Sequence, residues 1–404
     1  MVPLWLRGRA VRRKEDPERL GERLGRAGLA RPAGPVVWLH GASIGEGLAV
    51  TPLLAPLAAR GSVLLTTGTA TGAAVLAPRL GPGVTHQFAP LDGPRAVGRF
   101  LDHWRPCALL LAESELWPNI VWACRERGVP VCVVNGRLSD RSFGRWRHMG
   151  SAARGLFGQL ALVLAQGETH AGRFAELGAP RVAVTGNLKW DVPAPKADEA
   201  ALARLRAALG DRPVLLGMST HEGEETALLD AHARLRARWP ALFAILAPRD
   251  IGRGGAIMRL AEVRGLRPAL RSSGAAAGPA LDVLVADSVG EMGLWLGVAT
   301  LAVIGKTFGR GGGQNPIEAA KSGVPLVHGP STHQFADAFA ALDAAGGAAP
   351  VADAQDLASA LGDLLADPGR RAALAGRAGQ VAASLGGAAA RTISGLAPLL
   401  PDPP

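Results

Sequence analysis

Short apolar runs alternate with longer amphipathic segments along most of this chain, and this alternation limits the folds that it can adopt. Repeated units of one strand and one helix are typical of parallel sheets covered by helices on both faces. The first half contains six predicted strands: Val36–His40, Val63–Thr67, Ala108–Ala112, Val131–Asn135, Leu160–Gln166 and Val182–Thr185. The second half contains five: Val214–Ser219, Phe243–Ala247, Val283–Ala286, Leu301–Gly305 and Pro325–His328. The pattern predicts an α/β fold with doubly wound parallel sheets.

The length of the chain predicts two domains, because 404 residues exceed the usual size of one. A proline-rich, polar stretch, Val192–Asp198, separates the two groups of strands and is typical of a linker. We predict a first Rossmann-like domain over residues 1–191, a linker over 192–212 and a second Rossmann-like domain over 213–404 that includes the C-terminal helices. Two such domains facing each other across a cleft are the simplest arrangement.

The charge of the chain favours anionic partners. The net charge of +10 comes almost entirely from arginine, and lysine occurs only at positions 14, 189, 196, 306 and 321. A basic surface favours phosphorylated ligands or anionic membranes over acidic partners. We expect no nucleic-acid partner. Because the chain otherwise uses arginine, Lys189 and Lys306 are candidates for a specific role.

The apolar content of the chain predicts no membrane span. No run approaches the roughly 20 apolar residues that a spanning helix needs. The segment Leu4–Leu6, followed by a basic flank, is too short for a signal-peptide core, and either touches an anionic membrane surface or is a frayed terminus. Cys107, Cys124 and Cys132 match no metal spacing, which predicts buried thiols in a reducing compartment. We expect neither a metal nor another cofactor.

The stretch Gly311–Glu318 is the most specific motif of the second half. Three glycines lead from the apolar run Leu301–Ile304 towards a helix start, with Asn315 as a predicted N-cap and Pro316 at the first helical position. Glu318 follows where a capping-box acid would lie. One interpretation is a phosphate-binding loop with Glu318 on a ribose hydroxyl. The other is a well-capped helix after a flexible turn.

Acidic residues follow two of the predicted strands of the first half. Glu46 comes after the first strand, in a glycine-rich turn, where it either complements the helix dipole or acts as a general base. Glu113 and Glu115 come directly after an apolar run, and strand alternation predicts that they point to the same side. Because buried acids need partners, a pairing group or a ligand hydroxyl is expected near them. The alternative is that they are solvated loop residues.

Cations and capping motifs follow other strands. Lys189, between Asn187 and Trp190, either neutralises an anion or is an ordinary surface residue. Arg249 places a cation at the end of another predicted strand. Two capping boxes are predicted in the second half, Ser219 with Glu222 and Ser288 with Glu291.

Taken together, these segments resemble the 3-deoxy-D-manno-octulosonic acid (Kdo) transferases of lipid A assembly. The resemblance covers roughly residues 18–347. It is carried by nine segments that occur in the same order: Trp38–Glu46, Thr66–Gly72, Glu113–Asn119, Asn135–Ser142, Thr185–Asp191, Ser219–Glu225, Pro248–Arg249, Asp287–Gly293 and Gly312–Glu318.

The resemblance implies an inverting glycosyltransferase of the GT-B fold. The first domain would bind the acceptor and the second the nucleotide sugar. Such an enzyme transfers Kdo from CMP-Kdo to a lipid A precursor, lipid IV-A, in lipopolysaccharide biosynthesis at the cytoplasmic face of the inner membrane. The expected partners are therefore the CMP-Kdo donor and a lipid acceptor at the membrane surface.

The resemblance also implies roles for individual residues. Glu46 matches the catalytic base of the family, and Glu113 and Lys189 match residues that stabilise the transition state. The segments that bind CMP correspond to Pro248, Arg249, Gly290, Glu291, Met292, Asn315, Pro316, Ile317 and Glu318. The residue types suit the chemistry, because a sugar hydroxyl needs a base to remove its proton and a departing phosphate needs nearby positive charge.

This chain departs from the family pattern at three places. Members usually carry an apolar N-terminal anchor, where only Leu4–Leu6 precedes Glu18 here. Members commonly have His at the position of Gln314 and a small residue at the position of Lys306.

Three other functions compete with this one. A GT-B enzyme with a different nucleotide sugar would share these spacings. An NAD(P)-dependent oxidoreductase would require a G-x-G-x-x-G turn after the first strand, and the glycines at 41, 45 and 47 do not fit it. A lipid-surface binding protein without catalysis would leave Glu46 and Glu113 without a role.

Overall fold

The structure is a computed structural model that describes residues 15–275 and 277–402. The chain divides into two compact units. Unit 1 runs through Val192 and takes up the chain again from Leu385, whereas unit 2 is Pro193–Ser384. The segment Leu4–Leu6, a candidate membrane contact, lies outside the described residues. None of the described helices is both long and apolar enough to cross a membrane.

Unit 1 is built on a seven-stranded parallel sheet. Its strands are β1 (Val36–His40), β2 (Ser62–Thr67), β3 (Val84–Phe88), β4 (Ala108–Ala112), β5 (Val131–Gly136), β6 (Leu162–Ala165) and β7 (Val182–Val184). They lie in the order β3-β2-β1-β4-β5-β6-β7, and every neighbouring pair is parallel. The strand order reverses between β1 and β4. In such sheets ligands bind beyond the carboxyl ends of the strands at this reversal, the switch point.

Helices connect these strands and cover both faces of the sheet. They are α1 (Leu20–Arg23), α2 (Ile44–Ala49), α3 (Leu54–Ala58), α4 (Ala70–Leu76), α5 (Pro94–Trp104), α6 (Pro118–Glu126), α7 (Asp140–His148), α8 (Ser151–Phe157) and α9 (Glu168–Glu176). Trp38 and Leu39, adjacent in β1 and each fully buried, belong to different apolar clusters, because successive side chains of a strand point to opposite faces. Phe100 of α5 joins the first cluster and Leu54 of α3 the second. Each such side chain stabilises the fold by about 1.5–3 kcal/mol.

Unit 2 contains a second seven-stranded parallel sheet. Its strands are β8 (Val214–Thr220), β9 (Phe243–Pro248), β10 (Pro268–Leu270), β11 (Val283–Val285), β12 (Leu301–Ile304), β13 (Leu326–His328) and β14 (Ala348–Pro350). The order is β10-β11-β9-β8-β12-β13-β14, again with parallel neighbours, and it reverses between β8 and β12. The predicted fold class, two doubly wound parallel sheets, is therefore confirmed.

Eight helices are described in unit 2: α10 (Glu199–Leu209), α11 (Glu224–Leu235), α12 (Gly254–Glu262), α13 (Met292–Leu296), α14 (Ile317–Lys321), α15 (Ala336–Ala344), α16 (Leu357–Ala366) and α17 (Pro368–Ser384). The first of them, α10, lies within the predicted linker of residues 192–212. Asp198 caps it, with its side chain accepting a hydrogen bond from the Ala201 N–H at 2.7 Å. The linker is thus shorter than predicted.

The last helix, α18 (Ala388–Leu396), returns to unit 1. Ala388 and Leu396 are fully buried in the same apolar cluster as Leu39. Asp191 fixes the start of the helix by accepting a hydrogen bond from the Gly387 N–H at 2.6 Å. The predicted second domain, residues 213–404, is therefore too long at its C-terminal end. An amphipathic pattern shows that a helix must cover a sheet, but it does not specify which sheet.

Candidate functional site

Glu46 lies in the first turn of α2, beyond the carboxyl end of β1. Its Oε2 accepts hydrogen bonds from the backbone N–H groups of Ala42 at 2.8 Å and Ser43 at 3.4 Å. The Ser43 hydroxyl donates to Oε1 at 2.7 Å and accepts from the Glu46 N–H at 3.3 Å, which completes a capping box. Glu46 therefore has a structural role at the start of α2, whatever chemistry it also performs.

The surroundings of Glu46 raise the pKa of its carboxyl above the ordinary value. Burial is the largest cause, and the negative charge of Glu113 adds to it, whereas the hydrogen bond from Ser43 acts in the opposite direction. A carboxylate with a raised pKa is a stronger proton acceptor near neutral pH. The arrangement therefore suits a general base.

Glu113 and Lys189 form an ion pair at the same edge of the sheet. Lys189 Nζ donates to Glu113 Oε1 at 2.8 Å, and the two side chains are 17% and 15% exposed. Glu113 directly follows β4 and has a φ of 54°, in the left-handed region that few residues other than glycine adopt. The partner expected for this acid is Lys189, so the structure brings the three predicted residues of unit 1 together.

Lys189 is held in place by its neighbours along the chain. The Asn187 side chain accepts a hydrogen bond from the Lys189 N–H at 3.0 Å. The Leu188 N–H donates to Oδ1 of Asn135 at 2.9 Å, and Asn135 is fully buried with a φ of 54°. Backbone in this region is strained and is often found at functional sites. Both members of the ion pair thus depend on residues held in unfavourable backbone conformations.

Glu115 is a third carboxylate of this edge, and sequence reasoning assigned it no role of its own. Burial raises the pKa of Glu115 to about 7, and the negative charges of Glu46 and Glu113 contribute to the rise. Trp117 Nε1 donates to its Oε2 at 3.1 Å. Its position two residues after Glu113 in a strand-end motif was the indication that could have singled it out.

In unit 2 the predicted residues lie on three separate loops. Pro248 ends β9, and the Arg249 N–H donates to the carbonyl of Thr220 at 3.0 Å, while the Arg249 side chain is exposed. Gly290 forms a turn with a φ of 88°, and Met292 begins α13.

The carboxylate of Glu291 is engaged within unit 2. Arg271 donates to both of its oxygens, at 2.8 and 3.2 Å, and this guanidinium lowers the pKa of Glu291. The Ser288 hydroxyl also donates to it. The predicted capping box of Ser288 and Glu291 was wrong, because Ser288 bonds the carboxylate and makes no side-chain cap to the helix.

The glycine run has a structural cause that the sequence did not indicate. A Cβ on Gly311 would lie 2.3 Å from Cγ of Lys306, and one on Gly312 would lie 2.4 Å from Nε2 of His333. A Cβ on Gly313 would lie 2.9 Å from the ring of Phe339. The glycines therefore admit side chains of the protein itself, which weakens the argument that they are there for a ligand.

The helix after the glycines differs from its prediction. It begins at Ile317 and has five residues, so Pro316 precedes the first helical position. The N-cap residue is Pro316, so the predicted N-cap Asn315 was wrong by one residue, although Asn315 Oδ1 accepts a hydrogen bond from the Ile317 N–H at 3.1 Å. Asn315 Nδ2 donates to Glu318 Oε1 at 3.4 Å, so these two predicted residues lie together.

Glu224 connects the glycine loop to the first turn of unit 2. Its buried carboxylate accepts three backbone hydrogen bonds, from His221 at 3.0 Å, Lys306 at 2.6 Å and Phe308 at 3.0 Å. The predicted capping box of Ser219 with Glu222 was wrong. Ser219 has a φ of 54° and α11 begins only at Glu224, which supplies the acid instead.

Comparison with known proteins assigns the family. Residues 18–192 match the model of the 3-deoxy-D-manno-octulosonic-acid transferase (kdotransferase) family. A 3-deoxy-D-manno-octulosonic acid transferase of Bordetella pertussis is 38% identical over 98% of this chain and 95% of its own length. The chain belongs to the Kdo transferase family. A second transferase of this name, from Haemophilus influenzae, is 32% identical over 80% of this chain and 78% of its own length.

Family membership confirms the predicted enzyme class, a glycosyltransferase that transfers Kdo, and excludes the NAD(P)-dependent oxidoreductase. Solved structures with low identity share the fold. A UDP-GlcNAc 2-epimerase of Neisseria meningitidis has a TM-score of 0.61 at 14% identity, over 90% of this chain and 100% of that one. A glycosyltransferase of Rickettsia africae has a TM-score of 0.60 at 9% identity, over 91% of this chain and 98% of that one. These neighbours agree with the predicted GT-B fold.

Proposed function

We propose that this Kdo transferase takes Kdo from CMP-Kdo and attaches it to a hydroxyl group of a lipid A precursor, with inversion at the anomeric carbon. The observation that carries the proposal is the group Glu46, Glu113 and Lys189 at the switch point of unit 1. It combines a carboxylate of raised pKa with a cation held by a second carboxylate. We assign the acceptor to unit 1 and the donor to unit 2.

Glu46 is the proposed general base. Its carboxylate would take the proton of the acceptor hydroxyl as the oxygen attacks the anomeric carbon, because a neutral hydroxyl is a poor nucleophile. Bond formation to Kdo and loss of CMP then occur in one displacement, which inverts the anomeric centre and leaves no covalent enzyme intermediate. The raised pKa of Glu46 supports this role, since the capping box alone does not require it.

Lys189 and Glu113 are proposed to act on charge that develops in the transition state. Negative charge accumulates on the departing phosphate, and a positioned ammonium stabilises it. The bond from Lys189 Nζ to Glu113 fixes the direction of a long, flexible side chain before the substrate arrives. Glu113 would therefore position Lys189 and also raise the proton affinity of Glu46.

The proposed CMP-binding residues of unit 2 are those that the family resemblance indicated: Pro248, Arg249, Gly290, Glu291, Met292, Asn315, Pro316, Ile317 and Glu318. Arg249 is suited to the phosphate because its exposed guanidinium follows β9 at the carboxyl edge of the sheet. Gly290 and Met292 would contribute mainly backbone groups. Glu291 has a structural part as well, because Arg271 and Ser288 already bind its carboxylate.

We propose that the enzyme works at the cytoplasmic face of the inner membrane as a peripheral protein. A basic surface of unit 1 supports this. Helix α7 has no buried residue and carries Arg141, Arg145 and Arg147. Trp122 of α6 and Met149, which directly follows α7, are 44% and 52% exposed. Arginines attract anionic lipid headgroups, and exposed Trp and Met side chains can enter the interface between headgroups and chains.

The test is a reconstituted transfer reaction. Purified protein is incubated with CMP-Kdo, generated in situ, and a tetraacylated lipid A precursor, and the lipid products are weighed by mass spectrometry. We expect mass increases that correspond to added Kdo. Omission of the donor is the control. If the wild-type protein left the precursor unchanged, the proposed donor and acceptor would be wrong. Transfer from another nucleotide sugar would identify a different GT-B activity.

A further inference from the structure

Lys306 is a distinctive residue of unit 2 to which the proposed function gives no role. It lies two residues after β12, at the switch point of the sheet, and has a φ of 62°. Residues other than glycine rarely adopt this left-handed conformation, and it persists only where the surrounding structure holds it. A lysine at such a position is therefore an outlier whose side chain needs an explanation.

The backbone and the stem of Lys306 are held firmly. Its N–H donates to the buried carboxylate of Glu224 at 2.6 Å, and its carbonyl accepts from the Gly313 N–H at 2.7 Å. Its Cγ occupies the space where Gly311 would carry a Cβ, only 2.3 Å from that position. The absence of a side chain at residue 311 thus makes room for this lysine, so Lys306 and Gly311 depend on each other.

The carboxylates around Lys306 already have partners. Glu224 accepts its three backbone hydrogen bonds, and Glu225 accepts from Arg253 at 3.2 Å on both oxygens. Glu222 lies 3.5 Å from Arg253. Among residues 15–275 and 277–402, none of the ion pairs involves the ammonium of Lys306. This edge of the sheet therefore holds positive charge that its own acids do not neutralise.

The positive charge of this edge acts on His221. Burial lowers the pKa of His221, and the positive charges of Lys306, Arg249 and Arg253 lower it further. Gln314 Nε2 lies 2.9 Å from His221 Nε2, an arrangement in which the amide donates to a neutral imidazole. Lys306 and Arg249 thus act on the same small region, where β8 and β9 end.

We propose that the ammonium of Lys306 binds the carboxylate of the sugar in the donor, while Arg249 binds the phosphate. This inference rests on the proposed function. CMP-Kdo carries two anionic groups, the phosphate and the sugar carboxylate, both attached to the anomeric carbon. Two neighbouring negative charges require two separate cations if neither is to be left unpaired. Lys306 would thereby strengthen the binding of a nucleotide sugar whose sugar is an acid.

The test compares Lys306→Asn with Lys306→Arg. Asparagine is neutral and tolerates left-handed backbone, so the loop should keep its conformation. We expect Lys306→Asn to raise the KM for CMP-Kdo about 10- to 100-fold, as for loss of a charge-assisted hydrogen bond. The inhibition constant of CMP, which lacks the carboxylate, should change less than about threefold. Lys306→Arg should recover most of the loss, and Lys321→Asn, at the end of α14, is the matched control.

Three results would overturn the inference. An equal weakening of CMP and CMP-Kdo would place Lys306 on the phosphate. Unchanged constants for both ligands, with wild-type melting temperature, would place it outside the donor site. A loss that Lys306→Arg does not recover would show a structural effect. Failure of the proposed function is distinguishable, since it would appear as an inactive wild-type protein.

Discussion

A glutamate fixes the turn after the first strand in each unit, and the two glutamates differ in what surrounds them. Glu46 follows β1 and accepts backbone hydrogen bonds from its own turn, with the negative charge of Glu113 nearby. Glu224 follows β8 and accepts three backbone hydrogen bonds, two of them from the loop after β12. Glu46 therefore lies close to another carboxylate, whereas the carboxylate of Glu224 is fully hydrogen-bonded to backbone N–H groups, one of them that of Lys306.

Position in the fold does not by itself decide what a carboxylate can do. Both lie at switch points, where doubly wound sheets bind ligands. Burial and a neighbouring carboxylate favour the proton on Glu46, which is useful for a base. The carboxylate of Glu224 is instead occupied by three backbone N–H donors, which gives it a structural task. Unit 1 thus has an edge suited to proton transfer, and unit 2 has an edge suited to anions.

The largest expected effect comes from Glu46→Gln. Loss of the base should lower kcat about 10²- to 10⁴-fold. Glutamine can still occupy the capping box, so the melting temperature should change little. Steady-state kinetics and thermal melting measure the two quantities. Ser43→Ala is the control, because it disrupts the cap and leaves the carboxylate. Full activity of Glu46→Gln would leave Glu46 with its capping role alone.

Removal of the ion pair should have the next largest effect. We expect Lys189→Met and Glu113→Gln each to lower kcat about 10²- to 10³-fold. The double variant should lose much less than the product of the two factors, because the residues act together. Additive losses would argue that they act separately.

Glu113→Gln also tests the link to Glu46 through the pH profile. The charge of Glu113 raises the pKa of Glu46, so its removal should lower that pKa. The acid limb of kcat/KM for the remaining activity should then move to lower pH. An unmoved limb would mean that another group controls it.

Glu224→Gln should instead reduce stability. An amide cannot replace a carboxylate that accepts three backbone hydrogen bonds, and the loss is about 1.5–3 kcal/mol. Urea denaturation measures it. Glu222→Gln, an exposed neighbour, should change the free energy of unfolding by less than about 0.5 kcal/mol. If Glu224→Gln proved as stable as wild type, the contrast between the two glutamates would fail.

Two glycines of the loop after β12 should differ in how much their substitution reduces stability. Gly312 and Gly309 both have positive φ, of 86° and 101°, but a Cβ would meet side-chain atoms within 4 Å at Gly312 and none at Gly309. Gly312→Ala should therefore be about 1–3 kcal/mol more destabilising than Gly309→Ala. Denaturation curves of the pair give the difference directly. Equal effects would show that backbone strain alone accounts for the glycine.

The sequence patterns predicted the central strands of both sheets but missed three strands at the edges. All eleven predicted strands are present, whereas β3, β10 and β14 were not predicted, and each lies at the edge of its sheet. An edge strand has one neighbouring strand and is less buried, so its sequence need not be a continuous apolar run. In β3, the polar residues Thr85, His86 and Gln87 interrupt the apolar pattern and conceal the strand.

The residues of the site were predicted better than the reasons for them. Glu46, Glu113 and Lys189 stood out as polar residues after apolar strands, and the structure brings them together. The partners of the glycines could not be predicted, since Lys306 and His333 approach them only through the folded chain. The role of Glu224 was likewise not predicted, because the local pattern around Ser219 indicated a capping box with Glu222 instead.

Glu115 should give the stability of the protein a defined pH dependence. Burial raises the pKa of Glu115 from 4.5 to about 7 in the folded protein. Between these values the unfolded chain has lost the proton and the folded protein retains it, so stability falls as the pH rises through this window. Glu115→Gln removes this titration. Its melting temperature should match that of wild type near pH 4.5 and exceed it above pH 7, by about 2–4 °C for each kcal/mol recovered.

Glu126→Gln, at an exposed position of α6, is the control for the change in net charge. A difference in melting temperature that does not vary with pH would mean that Glu115 does not hold a proton in the folded edge of unit 1.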